Sequence, residues 1–180
     1  MDSAASGNPI LANLFRLNQW ANVELIDACA QLGDEVLDAE APGTLGTIRQ
    51  TLWHLVDLEH RYLAAMNGDA NAWFLTLPGG PDGELATLRV LALETGEQLV
   101  AWAEATNGDP MLTGIWRDNE YTAPASVFAG QTMLHGKEHR QQVQEAQAKL
   151  RQAEEASREL ARKSDQLEKQ LALAKSTVAP

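Results

Sequence analysis

Cysteine is almost absent from this chain. Cys29 is the only one among 180 residues, so no disulfide can form within it. Apolar runs are short as well, and none approaches the ~20 residues that a membrane-spanning helix needs. The first residues, Met1-Asp2-Ser3-Ala4-Ala5-Ser6-Gly7-Asn8, lack the basic stretch and apolar run of a secretory signal, and a cytoplasmic location is expected. Positive charge is scarce: 14 Lys and Arg face 25 Asp and Glu, a net charge of -11. Nucleic acid and anionic membranes call for a basic footprint, so neither is an expected partner. A small molecule or another protein suits this surface better. The length suffices for a domain that is stable without staples, with room for an appendage.

What is present is mostly helical patterning. Asn8-Pro9 is a strong start, since asparagine caps free amides and proline is tolerated at the first helical position. A first helix is expected over about 9–31, with Leu11, Leu14, Leu17, Val23, Leu25 and Ile26 as its apolar set and Gly33 as a left-handed C-terminal cap. Cys29 falls inside this pattern and reads as a packed thiol rather than a reactive one. After a polar connection with Pro42, Gly43 and Gly46, Thr47-Ile48-Arg49-Gln50 has capping-box spacing, so a second helix should run from Ile48 to about Met66. Ile48, Leu52, Leu55, Tyr62, Leu63 and Met66 share one face of it. Glu59 lies in the middle of that face, and His54 lies on its flank. A carboxylate in such a place needs a partner. Two readings are open: a salt bridge to an arginine, or an acid near His54 that either supports that histidine from behind or is catalytic.

Residues 67–82, rich in Gly, Asp, Asn and Pro, read as a long loop plugged by Trp73-Phe74-Leu75. Asp82 can cap a third helix over about 83–105, with Leu85, Leu88, Ala92, Leu99 and Trp102 inward. Residues 111–123, turning at Asp118-Asn119, suit an extended crossover or a small hairpin. A fourth helix begins near Pro124 or Ala125. On its wheel Phe128, Thr132, His135, His139, Val143 and Ala146 fall on one side, so both histidines face inward.

An HxxxH pair alone is a common accident. Two inward imidazoles one turn apart, with His54 on another helix, are harder to explain by packing, because each neutral ring needs a buried polar partner. A divalent ion can be that shared partner. Three imidazoles leave open positions for water or substrate, as catalytic sites do, and the all-nitrogen set suits zinc, nickel, iron or cobalt.

The stretch from Gly46 to Leu63, with His54 inside it, and His135-Gly136-Lys137-Glu138-His139-Arg140-Gln141-Gln142 together resemble the DinB family of metal-dependent proteins. The resemblance spans about residues 8–143, with Gln141 where the family often has glycine. It implies a four-helix core with a long crossover and a metal site held by His54, His135 and His139; of the four candidate ions, zinc or nickel is expected first. His60 has no place in that pattern. The resemblance also implies a transferase or isomerase that uses a low-molecular-weight thiol on a small electrophile. A bound cation makes this chemically sensible, because it favours the thiolate.

From Val143 the sequence becomes an Ala, Gln, Glu, Lys and Arg mixture in which Leu150, Leu160, Leu167 and Leu171 belong to a seam of alternating three- and four-residue steps, ending at Ala174 and Val178. The expected fold is therefore all-α: a four-helix bundle with a long crossover, its fourth helix extended by a coiled-coil-like segment. The expected organisation is a disordered N-terminus over 1–7, the bundle over 8–143 and the extension over 144–180. The extension can be a solvated helix, a homodimer seam or a dock for a coiled-coil partner. The change of composition also fits a segment grafted onto a bundle, which leaves a competing function: a non-catalytic scaffold that presents a coiled-coil element.

Overall fold

A computed structural model of the chain describes residues 7–40 and 44–177. Residues 1–6, Pro42, Gly43 and Val178 lie outside the described residues, as does the side chain of Ala174. Gly7 is held at the foot of the fold, its N–H donating to Asn107 Oδ1 at 2.9 Å.

The described residues are mostly helical: α1 (Pro9–Cys29), α2 (Asp34–Leu37), α3 (Ile48–Met66), a 3-10 turn (Ala72–Phe74), α4 (Leu85–Ala105), β1 (Met111–Trp116), β2 (Asn119–Pro124) and α5 (Ala125–Thr177). By compactness the chain divides into two units, Met1–Val143 and Gln144–Pro180. No helix among the described residues is long and apolar enough to cross a membrane.

In the first unit α1 starts as its sequence dictates, with Asn8 accepting from the Leu11 amide at 3.0 Å and Pro9 in the first turn. Its far end differs from expectation. The helix stops at Cys29, and Gly33 precedes α2 in an extended conformation (φ -70°, ψ 156°) instead of a left-handed cap. Ala30 still donates to Ile26 O and Leu32 donates to Cys29 O, so ordinary right-handed residues close the end and no left-handed glycine is needed. The buried face of α1 differs in part: Val23, Leu25 and Ile26 are buried as expected. Leu14 and Leu17 are 43% and 56% exposed, while Ala12, Phe15, Asn18 and Asn22 are buried. Cys29 is fully buried, as a packed thiol should be.

α3 begins at the capping box: Thr47 accepts from the Gln50 amide, and the Gln50 side chain accepts from the Thr47 amide. All six apolar residues expected on its inner face are buried. Arg49 reaches back to α2, donating to Asp38 at 2.7 Å and Asp34 at 2.8 Å. Asp57, buried, pairs with Arg61 at 2.6 Å and accepts from the Leu77 amide at 2.9 Å. Arg61 also donates to Trp73 O, so this pair straps the 67–82 loop onto α3. Within that loop Ala72 is the fully buried residue, whereas Phe74, expected as part of the plug, is 62% exposed. The short 3-10 turn accounts for this, since it turns adjacent side chains to different sides.

α4 starts at Leu85. Asp82 is not its cap: Gly83 closes a turn onto Gly80 O, and Asp82 accepts from the Gln50 side chain. Trp102 of α4 donates to Met66 O, tying α4 to the end of α3. The segment before α5 is a hairpin, β1 and β2 pairing antiparallel from Met111↔Pro124 to Trp116↔Asn119. Its turn falls on Arg117-Asp118, one residue earlier than expected, with φ of 48° and 64°. Two positive φ values in a two-residue loop are the signature of a type I′ turn, whose twist matches the strands it joins.

In the second unit, residues 151–173 of α5 are all exposed, and Leu160, Leu167 and Leu171 are 68%, 65% and 56% exposed.

Candidate metal centre

α3 and α5 bring the three expected histidines together. The His54 and His139 rings lie 4.9 Å apart, nearly perpendicular at 86°, and the His135 and His139 rings lie 5.6 Å apart. Imidazoles sharing one ion through ~2 Å bonds have centroids roughly 5 Å apart. His139 is buried, and its tautomer is set: the Gln142 oxygen accepts from Nδ1–H at 2.8 Å, which leaves Nε2 with the lone pair. That Nε2 is buried with no hydrogen-bond partner, and so is Nδ1 of His135. Orphaned ring nitrogens inside a fold are costly unless something absent from the chain binds them. Burial, with His139 and His135 beside it and Asp57 pulling the other way, pushes the His54 imidazole down to about 4, so it is neutral and able to ligate at pH 7. The donor set thus fits a divalent ion in chemistry and spacing. It is not a ready-made cage: among the described residues no three His, Cys, Asp or Glu side chains are gathered tightly enough to hold an ion. The His135 and His139 rings are stacked, 21° from parallel, so their in-plane lone pairs run alongside one another instead of meeting. His60 is half-buried, as a rim residue would be.

Glu59 lies beneath the histidines in a polar layer that the sequence did not reveal. It is fully buried, and Oε1 accepts from Asn18 Nδ2 at 2.6 Å and Asn22 Nδ2 at 2.8 Å. Arg140 donates in turn to both asparagine oxygens, at 2.8 Å to Asn18. The arginine is therefore present but one residue removed from the carboxylate, with no direct salt bridge between them. Burial raises the Glu59 pKa, opposed by the two asparagines and by the charge of Arg140. Three helices meet here, and Gly136 lets them approach: a Cβ at that position would sit 2.7 Å from Asn18 Oδ1 and 2.9 Å from Arg140 Nη1. The layer fixes where α5 carries His135 and His139. Asparagines at 18 and 22, one turn apart among the apolar residues of α1, were the available signal.

A cavity of about 530 Å³ opens beside the histidines, lined by His54 and His135 together with Arg61, Arg117, Trp73 and Trp116. Glu59 is not on its wall. Ligand pockets are typically roughly 300–1,000 Å³, so this one is large enough for a small molecule.

A helical protein with paired inward histidines, a third on a neighbouring helix and a ligand-sized cavity over them defines a class of metal-binding helical folds. The chain matches the DinB family over residues 2–179 and belongs to that family, a metal-binding helical one. The match does not stop where the composition changes at Val143, so the resemblance is broader than the 8–143 read from the motifs. Among curated proteins none matches the chain.

Proposed function

We propose that the first unit is a four-helix bundle holding one divalent metal ion on His54, His135 and His139, and that it acts on a small molecule in the adjoining cavity. The observation that carries this is His139: its Nδ1 is fixed by Gln142 and its Nε2 is buried and unbonded, with two more imidazoles at ring-to-ring distances near those of a shared ion. Loading requires one ring to turn, and His54 and His135 both have room, being half-buried and on the cavity wall, whereas His139 is buried. The reaction we favour is transfer or isomerisation through a low-molecular-weight thiol attacking a small electrophile. Zinc or nickel suits the donor set best, iron or cobalt less well, and a bound ion of this kind supplies thiolate at neutral pH. The chain contributes no thiol to the site, because Cys29 is buried in α1 and does not line the cavity. Its own part is to hold neutral imidazoles, fix their tautomers and wall the cavity with aromatic rings.

Metal-stripped protein titrated with zinc or nickel tests the reading by thermal unfolding and metal analysis. Uptake should saturate at one ion per chain, and free metal at 100 times Kd should add about 2.7 kcal/mol of stability. Absence of stoichiometric uptake of any of the four metals would sink it.

A second reading concerns assembly. Leu160, Leu167 and Leu171 lie on one heptad face of α5 and are exposed. We propose that this face pairs with a second copy. Ending the chain after Leu150 should then take the light-scattering mass from that of two full-length chains to that of one shortened chain; the same number of chains per particle in both forms removes the dimer and leaves a solvated helix or a dock for another partner.

A further inference from the structure

The cavity over the histidines is electropositive in an acidic protein. With 25 acidic and 14 basic residues in the chain, the wall of this cavity carries two arginines and no carboxylate. Arg61 is already committed, paired with Asp57 at 2.6 Å and bonded to Trp73 O. Arg117 differs. Among the described residues no carboxylate pairs with it, and its guanidinium lies over the Trp116 ring, 4.9 Å from the centroid. A guanidinium held over a ring with no carboxylate partner has N–H donors available for a planar two-oxygen acceptor.

The backbone singles out the same residue. Arg117 sits at φ 48° in a type I′ turn, a place where asparagine and glycine are favoured and a long side chain is strained. Nothing in the hairpin itself requires arginine at that position. Beside it, Trp116 and Phe74 are 52% and 62% exposed, and with half-buried Trp73 they offer flat apolar surfaces at the mouth of the cavity.

We propose that the cavity takes a small ligand with a flat apolar body and a carboxylate-like anionic group, and that Arg117 is the specificity-determining residue that binds this group. The inference rests on the metal-site reading only in taking this ligand as the molecule that reaches His54 and His135.

Benzoate and its neutral analogue benzamide serve as probes, followed by tryptophan fluorescence in metal-stripped and zinc-saturated full-length protein. Benzoate should quench saturably and bind at least about tenfold more tightly than benzamide. Arg117→Gln should remove that preference and leave benzamide unchanged. Arg117→Gly should do the same without lowering the melting temperature, because glycine accepts the turn's positive φ. Equal benzoate binding by wild type and Arg117→Gln in both forms overturns the proposal. Benzoate binding only to the zinc form, lost in His139→Ala but kept in Arg117→Gln, also overturns it while the metal reading stands. Arg117-dependent benzoate binding in a protein that takes up no zinc upholds the arginine and removes the metal.

Discussion

Replacing Arg140 by methionine should lower the unfolding free energy by about 2–3 kcal/mol at neutral pH and by far less near pH 4. Removing one member of a buried charged network costs more than the network itself contributes, because the remaining charge is left uncompensated. Here the remaining charge is Glu59, fully buried behind Asn18 and Asn22, and the cost is set toward the lower end because Arg140 is half-buried and acts through the asparagines. The pH dependence follows from the direction of the Glu59 shift. Its folded pKa is raised above the unfolded 4.5, so the folded state holds the proton more tightly. Stability from this group is fully present below 4.5 and declines as pH rises through the folded pKa. Arg140 limits that decline by favouring the carboxylate, and without it the folded pKa rises and the decline is steeper overall. Urea unfolding at the two pH values checks this, and adding Glu59→Gln to Arg140→Met should recover part of the loss at pH 7. An equal loss at both pH values, with no recovery in the double variant, would show that Arg140 matters only for packing.

The same network shows where sequence reasoning stops. α3 was legible from end to end, because its capping box, its six-residue apolar stripe and the asparagine after Met66 are local signals that agree with one another. The inward placement of His135 and His139 was legible for the same reason. α1 was legible only in part: its start at Asn8-Pro9 and the burial of Val23, Leu25 and Ile26 follow the sequence, but Leu14 and Leu17 are exposed although the leucines repeat at helical spacing. The face carrying Leu14 and Leu17 lost to the one carrying Phe15, Asn18 and Asn22, because Glu59 on α3 and Arg140 on α5 supply partners that make two buried asparagines affordable. Those partners are 37 or more residues away in sequence, beyond any window of periodicity. Gly33 and Asp82 failed for a humbler reason. Each had the right chemistry for a helix end, but a neighbouring turn used the backbone first. The turn at Arg117-Asp118 has an aspartate, common in type I′ turns, at its second position but an arginine, which is not, at its first, so its exact position, and with it the arginine at the cavity mouth, came from strand register.

Among single substitutions at the site, His139→Ala should have the largest effect on metal. His139 is the central ring of the three, within 4.9 Å of His54 and 5.6 Å of His135, and it is the one whose lone-pair nitrogen is identified. Metal content by mass spectrometry should fall from near one ion per chain to below about a tenth, since two imidazoles at mild pH seldom retain a divalent ion against buffer. Gln142→Leu makes a finer distinction. It keeps all three imidazoles and the helix but removes the acceptor that fixes the His139 tautomer, and affinity should weaken by roughly 10–100-fold with little change in the melting temperature of the metal-free protein. His60→Ala should leave affinity unchanged. Because His54 is held neutral down to about 4, its own imidazole should remain a competent donor when the titrations are repeated at mildly acid pH. Stoichiometric metal in His139→Ala would place the ion elsewhere. Wild-type affinity in Gln142→Leu would mean that Nε2 of His139 does not depend on this hydrogen bond for its lone pair, and the tautomer argument that joins the buried ring to the ion would fail with it.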